Sequence, residues 1–276
     1  MENILTQKNL CRMIVKRFFQ KMLFILRNNE LFPENSQLLT LFNKHTTGYI
    51  LGSAPTISKL NLKQLDKDAM IVTTGNFYEH PQIRKIGPNI HVFAASHPPI
   101  SKKVLTNWWM RCNDILPEKT ILLIEKRDRE VAKKVFSDRK LFFYSYGGRL
   151  PVDFTKKILS PHSVSIIALQ LAIYVGLKEI FLFGINHDWQ CTKPYVHFYD
   201  NSSPSLEFYL KQENIEISYE LQKQPYPKER LYREYELYQQ YESLYIEAKN
   251  NNIAVFNGDR FSEFDVFPFK LINDNL

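Results

Sequence analysis

Residues 169–185 read LQLAIYVGLKEIFLFGI and contain parts of two structural elements. The first part of this stretch completes a helical pattern that spans 163–175, and its second part contains a short run, 179–184, in which nearly every side chain is apolar. A short apolar run without polar alternation is typical of a strand that is covered on both faces. The stretch therefore predicts a helix followed by a buried strand.

The same alternation of short apolar runs and longer helical patterns extends along the chain from about residue 47. Strands are predicted at 48–52, 70–74, 91–95, 120–125, 141–144, 179–184 and 253–257, and helices at 101–113, 128–137, 163–175 and 228–250. Strands that alternate with helices are joined by right-handed crossovers and form a mostly parallel sheet. We therefore predict an α/β fold, a three-layer sandwich with helices on both faces of the sheet.

Residues 191–227 interrupt this alternation. They are polar, have no clear periodicity and contain four prolines, Pro194, Pro204, Pro225 and Pro227. A segment of this length without regular structure is commonly a functional lid or a disordered insertion. We predict a lid at about 190–227, inside an α/β domain at 45–276 that follows a helical extension at 1–44. The lid follows a predicted strand directly, which places it at the carboxyl edge of the sheet, where open α/β sheets bind ligands.

The composition is that of an ordinary globular protein, with 276 residues, 44% hydrophobic and 24% charged. The three cysteines, Cys11, Cys112 and Cys191, are far apart and odd in number, so they support neither a disulfide framework nor a Cys-x-x-Cys metal site. This pattern is typical of a reducing compartment, and we expect a cytoplasmic location.

Basic charge is concentrated in residues 1–27, where six Lys and Arg side chains accompany a single acid, Glu2. The apolar runs among them are far shorter than the ~20 residues that a membrane span needs, and no small-residue cleavage site predicts a signal peptide. A basic amphipathic helix on the anionic inner face of the cytoplasmic membrane fits the pattern. A helix packed on the domain with solvated lysines fits it equally well. No recognisable nucleic-acid module accompanies the charge, so we expect no nucleic-acid partner.

Small and polar residues end the first three predicted strands, at 51–56 (LGSAPT), 73–78 (TTGNFY) and 96–99 (SHPP). Small residues let backbone amides approach an anion, and the side-chain amide of Asn76 is able to read a sugar or a base. Each pattern also has an ordinary explanation as a turn, with Thr56 or Ser58 capping the helix after the first strand. No G-x-G-x-x-G or Walker motif is present. Together the three strand ends predict a ligand site at the carboxyl edge.

Residues 160–165 (SPHSVS) open the predicted helix that precedes the 179–184 strand. Ser and His side chains at a helix start donate to phosphate oxygens, and the helix dipole adds to this attraction. Helix capping by Ser160 or Ser163 explains the same residues and is compatible with ligand binding.

Two histidines follow the predicted strand 179–184, one in residues 184–189 (GINHDW) and one in residues 195–199 (YVHFY). A histidine close to a carboxylate acts as a base with its orienting group, or as a metal ligand. No ordered metal-ligand spacing is present, and the Asp-x-Asp at 66–68 precedes a strand, which is typical of a turn. We therefore predict no metal site.

Two of these segments resemble the motifs of a known family. Residues 51–57 (LGSAPTI) are similar to the G-N-G-P-S-L signature of the bacterial lipooligosaccharide sialyltransferases, glycosyltransferase family 42. Residues 169–185 resemble their A-x-A-L-G-Y-K-E-I-Y-L-S-G-I-D block, and the order of the blocks matches over roughly the middle half of the chain. A wider group related to 6-hydroxymethylpterin diphosphokinase shares these blocks and resembles the chain also at 197–199 and 265–268.

The resemblance implies a Rossmann-like domain of the GT-A type with a mobile lid. It further implies a CMP-activated acidic sugar as donor, inversion at the anomeric centre, and no metal or other cofactor. Matched by position, His197 corresponds to the lid histidine that acts as general base, and His187 is the competing candidate. The donor-binding residues implied in the same way are Gly52, Ser53 and Ala54 at the phosphate, Gly75 and Asn76 at the ribose, His97 at the donor, and His162 and Ser163 at the cytidine, to which we add Asn186.

These implications lead to one leading function and two alternatives. The leading one is transfer of a sialic-acid-like or Kdo-like sugar to a cell-surface glycan or lipid-linked glycan, either by a monomer or by a homo-oligomer. A CMP leaving group departs as an anion that backbone amides and helix N-termini stabilise without a cation, whereas a UDP- or GDP-sugar enzyme would normally use a divalent ion. The alternatives are a diphosphokinase-type transferase acting on a pterin-like alcohol, and a non-catalytic assembly protein that keeps the nucleotide fold.

Overall fold

The computed structural model of the chain describes residues 31–187, 197–199, 209–210 and 227–272. The basic stretch 1–27 and most of the predicted lid at 190–227 lie outside the described residues, so both stay predictions.

Seven strands form one parallel sheet. They are β1 (Thr47–Leu51), β2 (Met70–Thr74), β3 (Ile90–Val92), β4 (Ile121–Glu125), β5 (Leu141–Tyr144), β6 (Glu179–Phe183) and β7 (Ala254–Asn257). Every hydrogen-bonded pair of strands is parallel. All seven predicted strands are confirmed, with ends shifted by a few residues at most. Burial explains why they read as apolar runs, since all five residues of β2, for example, are buried.

The strand order is β5-β4-β3-β2-β1-β6-β7. The chain therefore moves outward from β1 to β5, and then returns to place β6 on the other side of β1. The order reverses between β1 and β6, where Leu51 lies beside Phe183 at the carboxyl ends. In open α/β sheets this switch point is where the crevice for a ligand forms.

The helices of the described residues cover both faces of the sheet. They are α1 (Gln37–Phe42), α2 (Ile83–Ile86), α3 (Lys102–Ile115), α4 (Arg129–Val135), α5 (Val164–Tyr174) and α6 (Pro227–Asn250), with short 3-10 turns at Pro33–Ser36, Pro55–Lys59, Leu62–Gln64, Gly75–Glu79 and Lys126–Asp128. The four predicted helices correspond to α3, α4, α5 and α6. Within the part of the chain described, no helix has the length and apolar character that crossing a membrane requires.

Two hydrophobic layers result from the alternation of side chains along each strand. Ile50 of β1 packs in one layer with Ile166 of α5 and Leu244 of α6. Its neighbour Leu51 packs in the opposite layer with Trp109 of α3. The predicted three-layer sandwich is thus confirmed.

The end of the predicted N-terminal extension packs on this sandwich. The side-chain amide of Asn35 donates to the carbonyl oxygens of Phe143 (2.7 Å) and Phe154 (2.8 Å), and it is fully buried. Leu38 and Phe42 of α1 belong to the same hydrophobic layer as α5. Residues 31–44 therefore contribute to the core, while the domain boundary at residue 44 stays a prediction.

Candidate functional site

The ends of β1 and β6 approach each other so closely that neither leaves room for a side chain. Gly52 N–H donates to the carbonyl of Phe183 at 2.8 Å, and Ala54 N–H donates to that of Gly184 at 2.9 Å. A Cβ on Gly52 would lie 2.4 Å from the carbonyl oxygen of Gly184, and Gly184 itself has a φ of +61°. Glycine at 52 is therefore a steric requirement of the strand end at the switch point.

A buried carboxylate holds this crossing together. Thr56 donates its hydroxyl hydrogen to Oδ2 of Asp259 at 2.6 Å, and the backbone N–H of Gly184 donates to the same oxygen at 3.1 Å. Asp259 is 1% exposed. The helix-cap explanation for Thr56 or Ser58 is wrong, because no side chain caps the 3-10 turn Pro55–Lys59. The Thr56 hydroxyl instead joins segments 203 residues apart.

A cavity of about 130 Å³ lies beside this crossing, at the carboxyl ends of β1, β2 and β6 and the start of α5. Eight of the residues predicted from the sequence line it: Gly52, Ser53, Gly75, Asn76, Ser163, Asn186, His187 and His197. Six further residues from the same sequence motifs, which were not named as candidate site residues, complete the wall: Thr74, Val164, Ser165, Gly184, Ile185 and Tyr199. Residues from five separate parts of the chain thus meet in one place.

Three other predicted residues do not line this cavity. Ala54 is buried beneath the turn, with its backbone bonded to Gly184. His97 is exposed, and its Nδ1 lies 3.0 Å from the carbonyl oxygen of Pro98. His162 is also exposed, and its backbone N–H donates to Oε1 of Gln240 at 2.9 Å. Ligand contacts by these three residues stay predictions.

The turn at Gly75 and Asn76 is supported by a hydrogen bond from a buried histidine, His91, which no sequence motif indicated. His91 lies between the Thr73 hydroxyl (2.7 Å from Nδ1) and the Gly75 carbonyl oxygen (2.9 Å from Nε2). Burial lowers the pKa of His91 to about 3, so the ring is neutral at pH 7. A carbonyl oxygen only accepts, so Nε2 carries the hydrogen and Nδ1 accepts from Thr73. This arrangement holds Gly75 at a φ of +57°.

The start of α5 and the end of β6 are joined by hydroxyl groups. Ser163 is the N-cap of α5, and its Oγ accepts from the backbone N–H of Ser165 at 3.4 Å. Ser163 Oγ also lies 2.7 Å from Ser165 Oγ, which lies 2.6 Å from the hydroxyl of Tyr241. That hydroxyl lies 2.9 Å from Nε2 of His187. The predicted capping role of Ser163 is confirmed.

The two candidate histidines differ in environment. His187 is 6% exposed and packs against the rings of Tyr241 and Phe264. Burial lowers the pKa of His187 to about 4, so the ring is neutral at pH 7.

His197 also lines the cavity. Its ring stacks on that of Tyr199, with the ring centroids 4.8 Å apart. The adjacent Phe198 donates its backbone N–H to the carbonyl of Ser53 at 3.1 Å. Residues 197–199 are therefore attached directly to the glycine turn that ends β1.

A larger cavity, of about 440 Å³, lies away from these groups. It is lined by residues at the start of β2 and before β3, including Lys63, Lys67, Lys85 and Gln82, with no histidine or carboxylate among its lining residues. It lies at the amino edge of the sheet, opposite the switch point. The chemistry-bearing side chains therefore place the candidate site at the smaller cavity.

Within residues 31–187, 197–199, 209–210 and 227–272, no group of three or more His, Cys, Asp or Glu side chains is placed to hold a metal ion.

Comparisons with known proteins identify similar folds. Neither a protein-family model nor a curated protein sequence matches the chain. Among solved structures, a single-substitution variant of the sialyltransferase CstII in complex with CMP matches with a TM-score of 0.50 and 16% identity, over 83% of this chain and 88% of that chain.

Two further matches are CstII with a trisaccharide acceptor and CMP, and the monofunctional sialyltransferase CstI from Campylobacter jejuni. The first has a TM-score of 0.47 and 15% identity, over 83% of this chain and 88% of that chain. The second has a TM-score of 0.49 and 16% identity, over 84% of this chain and 83% of that chain. Over most of its length, the chain is structurally similar to these bacterial sialyltransferases and has the α/β fold, with a parallel sheet, of the CstII structures.

Proposed function

We propose that the chain is an inverting, metal-independent glycosyltransferase that moves a sialic-acid-like or Kdo-like sugar from a CMP-activated donor to a cell-surface or lipid-linked glycan. The observation that carries this proposal is the cavity of about 130 Å³ at the switch point. Its walls combine the strand-end turn at Gly52, the turn at Gly75, the N-terminus of α5 at Ser163, and His197.

The donor side of the cavity is suited to an anion. Gly52 adds no side chain to this wall, and Ser163, the N-cap of α5, supplies a hydroxyl where the helix dipole favours negative charge. A CMP group that leaves as an anion would be stabilised by such fixed dipoles without a cation.

His197 is the proposed general base. Imidazole is the side-chain group that most often acts as a general base. As the acceptor hydroxyl oxygen attacks the anomeric carbon, its proton passes to His197. The bond from that carbon to the phosphate oxygen breaks, CMP leaves with the electron pair, and the anomeric configuration inverts.

His187 is better suited to supporting the wall of the site. Its imidazole is almost fully buried and its lowered pKa makes it a weak base. It is also engaged with the Tyr241 hydroxyl. We therefore assign the base to His197 and a positioning role to His187.

Similarity to CstII supports the choice of donor. The matching CstII structure that reaches a TM-score of 0.50 contains CMP. At 16% identity the similarity concerns the fold, so CMP as the donor nucleotide here is part of the proposal.

Calorimetry with CMP, UDP, GDP and ATP, each with and without magnesium, tests the donor class. We expect CMP to bind without magnesium and Ser163→Ala to weaken that binding. Ser160→Ala is the matched control, because Ser160 is exposed and lies outside the cavity lining. Preference for ATP with magnesium would favour the diphosphokinase alternative, and absence of any nucleotide binding would favour the assembly protein.

A further inference from the structure

A chain of hydrogen bonds connects two walls of the candidate site through the protein interior. It runs from Ser163 to Ser165 (2.7 Å), from Ser165 to Tyr241 (2.6 Å), and from Tyr241 to Nε2 of His187 (2.9 Å). Ser163, Ser165 and His187 line the cavity, and Tyr241 is fully buried behind them. The proposed mechanism makes no use of this connection.

The chain has two alternative directions, because each hydroxyl has one hydrogen to donate. If Nε2 of His187 carries a hydrogen, it donates to Tyr241, Tyr241 donates to Ser165, and Ser165 donates to Ser163. Ser163 then directs its own hydrogen into the cavity. If Nε2 lacks a hydrogen, every bond reverses, and Ser163 presents a lone pair.

His187 sets the direction because it is a neutral ring with one N–H. Its pKa of about 4 excludes the doubly protonated form at pH 7. The tautomer of His187 therefore determines the direction in which the hydroxyl groups of Tyr241, Ser165 and Ser163 donate their hydrogens.

Two features favour the direction in which Ser163 donates to a ligand. Ser163 Oγ already accepts from the backbone N–H of Ser165 as the N-cap of α5. The positive end of the α5 dipole attracts an oxygen that carries negative charge, and such an oxygen accepts a hydrogen bond.

Building on the proposed function, we propose that Tyr241 is a positioning residue that couples the His187 tautomer to the direction of the Ser163 hydroxyl. A ligand that places a hydrogen-bond acceptor at Ser163, such as a phosphate or base oxygen of a nucleotide, selects the Nε2–H tautomer. The site thereby discriminates against ligands that place a donor there.

Nitrogen NMR of protein labelled with ¹⁵N-histidine tests this coupling, because protonated and unprotonated imidazole nitrogens have distinct shifts. The His187 signals are identified by their loss in His187→Gln. In the wild type, CMP should move His187 toward the Nε2–H tautomer. In Tyr241→Phe, which keeps the ring packing but loses the hydroxyl, CMP should leave the tautomer unchanged and bind about two- to tenfold more weakly.

Tyr245→Phe is the matched control, since Tyr245 lies one turn further along α6, packs on Phe267 and is outside the cavity lining. It should behave like the wild type. The inference is overturned if CMP binds the wild type without changing the His187 tautomer, or if Tyr241→Phe retains the change.

A separate readout decides the inference if the proposed function fails, or if Tyr241→Phe does not fold. Ser165→Ala removes the acceptor to which Tyr241 donates in the proposed direction, so Tyr241 turns its hydrogen toward His187. In protein without ligand, this substitution should shift His187 toward the Nδ1–H tautomer. Unchanged His187 signals would overturn the coupling, whereas absence of CMP binding alone would refute only the nucleotide assignment.

Discussion

The backbone N–H of Ala54 donates to the carbonyl oxygen of Gly184 at 2.9 Å, and this bond joins the ends of two neighbouring parallel strands at the candidate site. Glycines at positions 52 and 184 let the two backbones approach each other here. A substitution that adds a side chain at Gly52 should therefore separate the strand ends and open the site.

Gly52→Ala should destabilise the fold and abolish nucleotide binding. The new Cβ would lie 2.4 Å from the Gly184 oxygen and 2.7 Å from Cγ1 of Ile185, so the backbone must shift. Overpacking of this kind costs about 1–3 kcal/mol. Urea unfolding measures the loss of stability, and calorimetry with CMP measures the loss of binding.

Gly87→Ala is the control for that substitution. Gly87 has a φ of +61° but nothing lies within 4 Å of a new Cβ, and it is outside the candidate site. The left-handed backbone alone should reduce the free energy of unfolding by about 1–2 kcal/mol, with CMP binding unchanged. Equal nucleotide affinity in Gly52→Ala and wild type would contradict the proposed role of the strand crossing.

Thr56→Val should show that the buried carboxylate depends on the Thr56 hydroxyl. Valine keeps the shape and removes the donor to Oδ2 of Asp259, which is almost fully buried. Loss of one partner of a buried polar group costs about 1–3 kcal/mol. Thermal and urea unfolding would detect the change, and Thr56→Ser should restore most of the stability. Thr106→Val, which removes an exposed hydroxyl on α3, serves as the comparison. A decrease in the free energy of unfolding no greater than that of Thr106→Val would argue against a stabilising role for the bond between Thr56 and Asp259.

The sequence predicted the strands and long helices because their signal is local. Each of the seven strands is an apolar run that the sheet buries, and α5 is apolar around its whole circumference because it lies inside one layer of the sandwich. Strand ends rich in small and polar residues also predicted most of the cavity lining, since carboxyl ends of parallel strands meet at one edge.

The supporting contacts of the site could not be predicted in this way. Asp259 reaches Thr56 across 203 residues, and Tyr241 reaches His187 across 54. No spacing pattern in the sequence connects such partners. A Thr that follows a strand end is commonly a helix cap, and nothing near Thr56 in the sequence indicates that its hydroxyl bonds to Asp259. The role of His91 could not be predicted because this residue lies inside an apolar run. The sequence does not show that both of its ring nitrogens form hydrogen bonds.

Stability should fall as the pH is lowered from 6.5 toward 4. Burial lowers the pKa of His80 and His187 to about 4 and that of His91 to about 3, whereas the unfolded chain titrates near 6.5. Between these values the unfolded state binds more protons than the folded state, so the free energy of unfolding decreases with falling pH. Each buried histidine contributes at most about 2 kcal/mol to the loss between pH 6.5 and pH 5.

Urea unfolding at several pH values checks this slope. His187→Gln should flatten the pH dependence, and His162→Gln should leave it as in the wild type, because His162 is exposed. An unfolding free energy that stays constant between pH 6.5 and pH 5 would show that these rings are not held neutral by the fold.

His197→Ala should bind CMP almost normally and transfer sugar about 10²–10⁴ times more slowly, as expected when a general base is lost. His97→Ala serves as the comparison, since the predicted role of His97 at the donor would change CMP affinity and not the transfer step. His187→Ala should mainly reduce stability or CMP affinity. Full activity of His197→Ala combined with an inactive but folded His187→Ala would reverse the assignment of the base.

Metal-independent transfer from a CMP-activated acidic sugar is tested by measuring the release of CMP from such donors in the presence of a chelator. CMP-sialic acid and CMP-Kdo would be supplied with a glycan acceptor, and CMP would be measured with time. We predict acceptor-dependent CMP release from at least one of the two donors, unaffected by the chelator and lost in His197→Ala. No release from either donor by protein that is folded and binds CMP, or release that requires a divalent ion, would contradict the account.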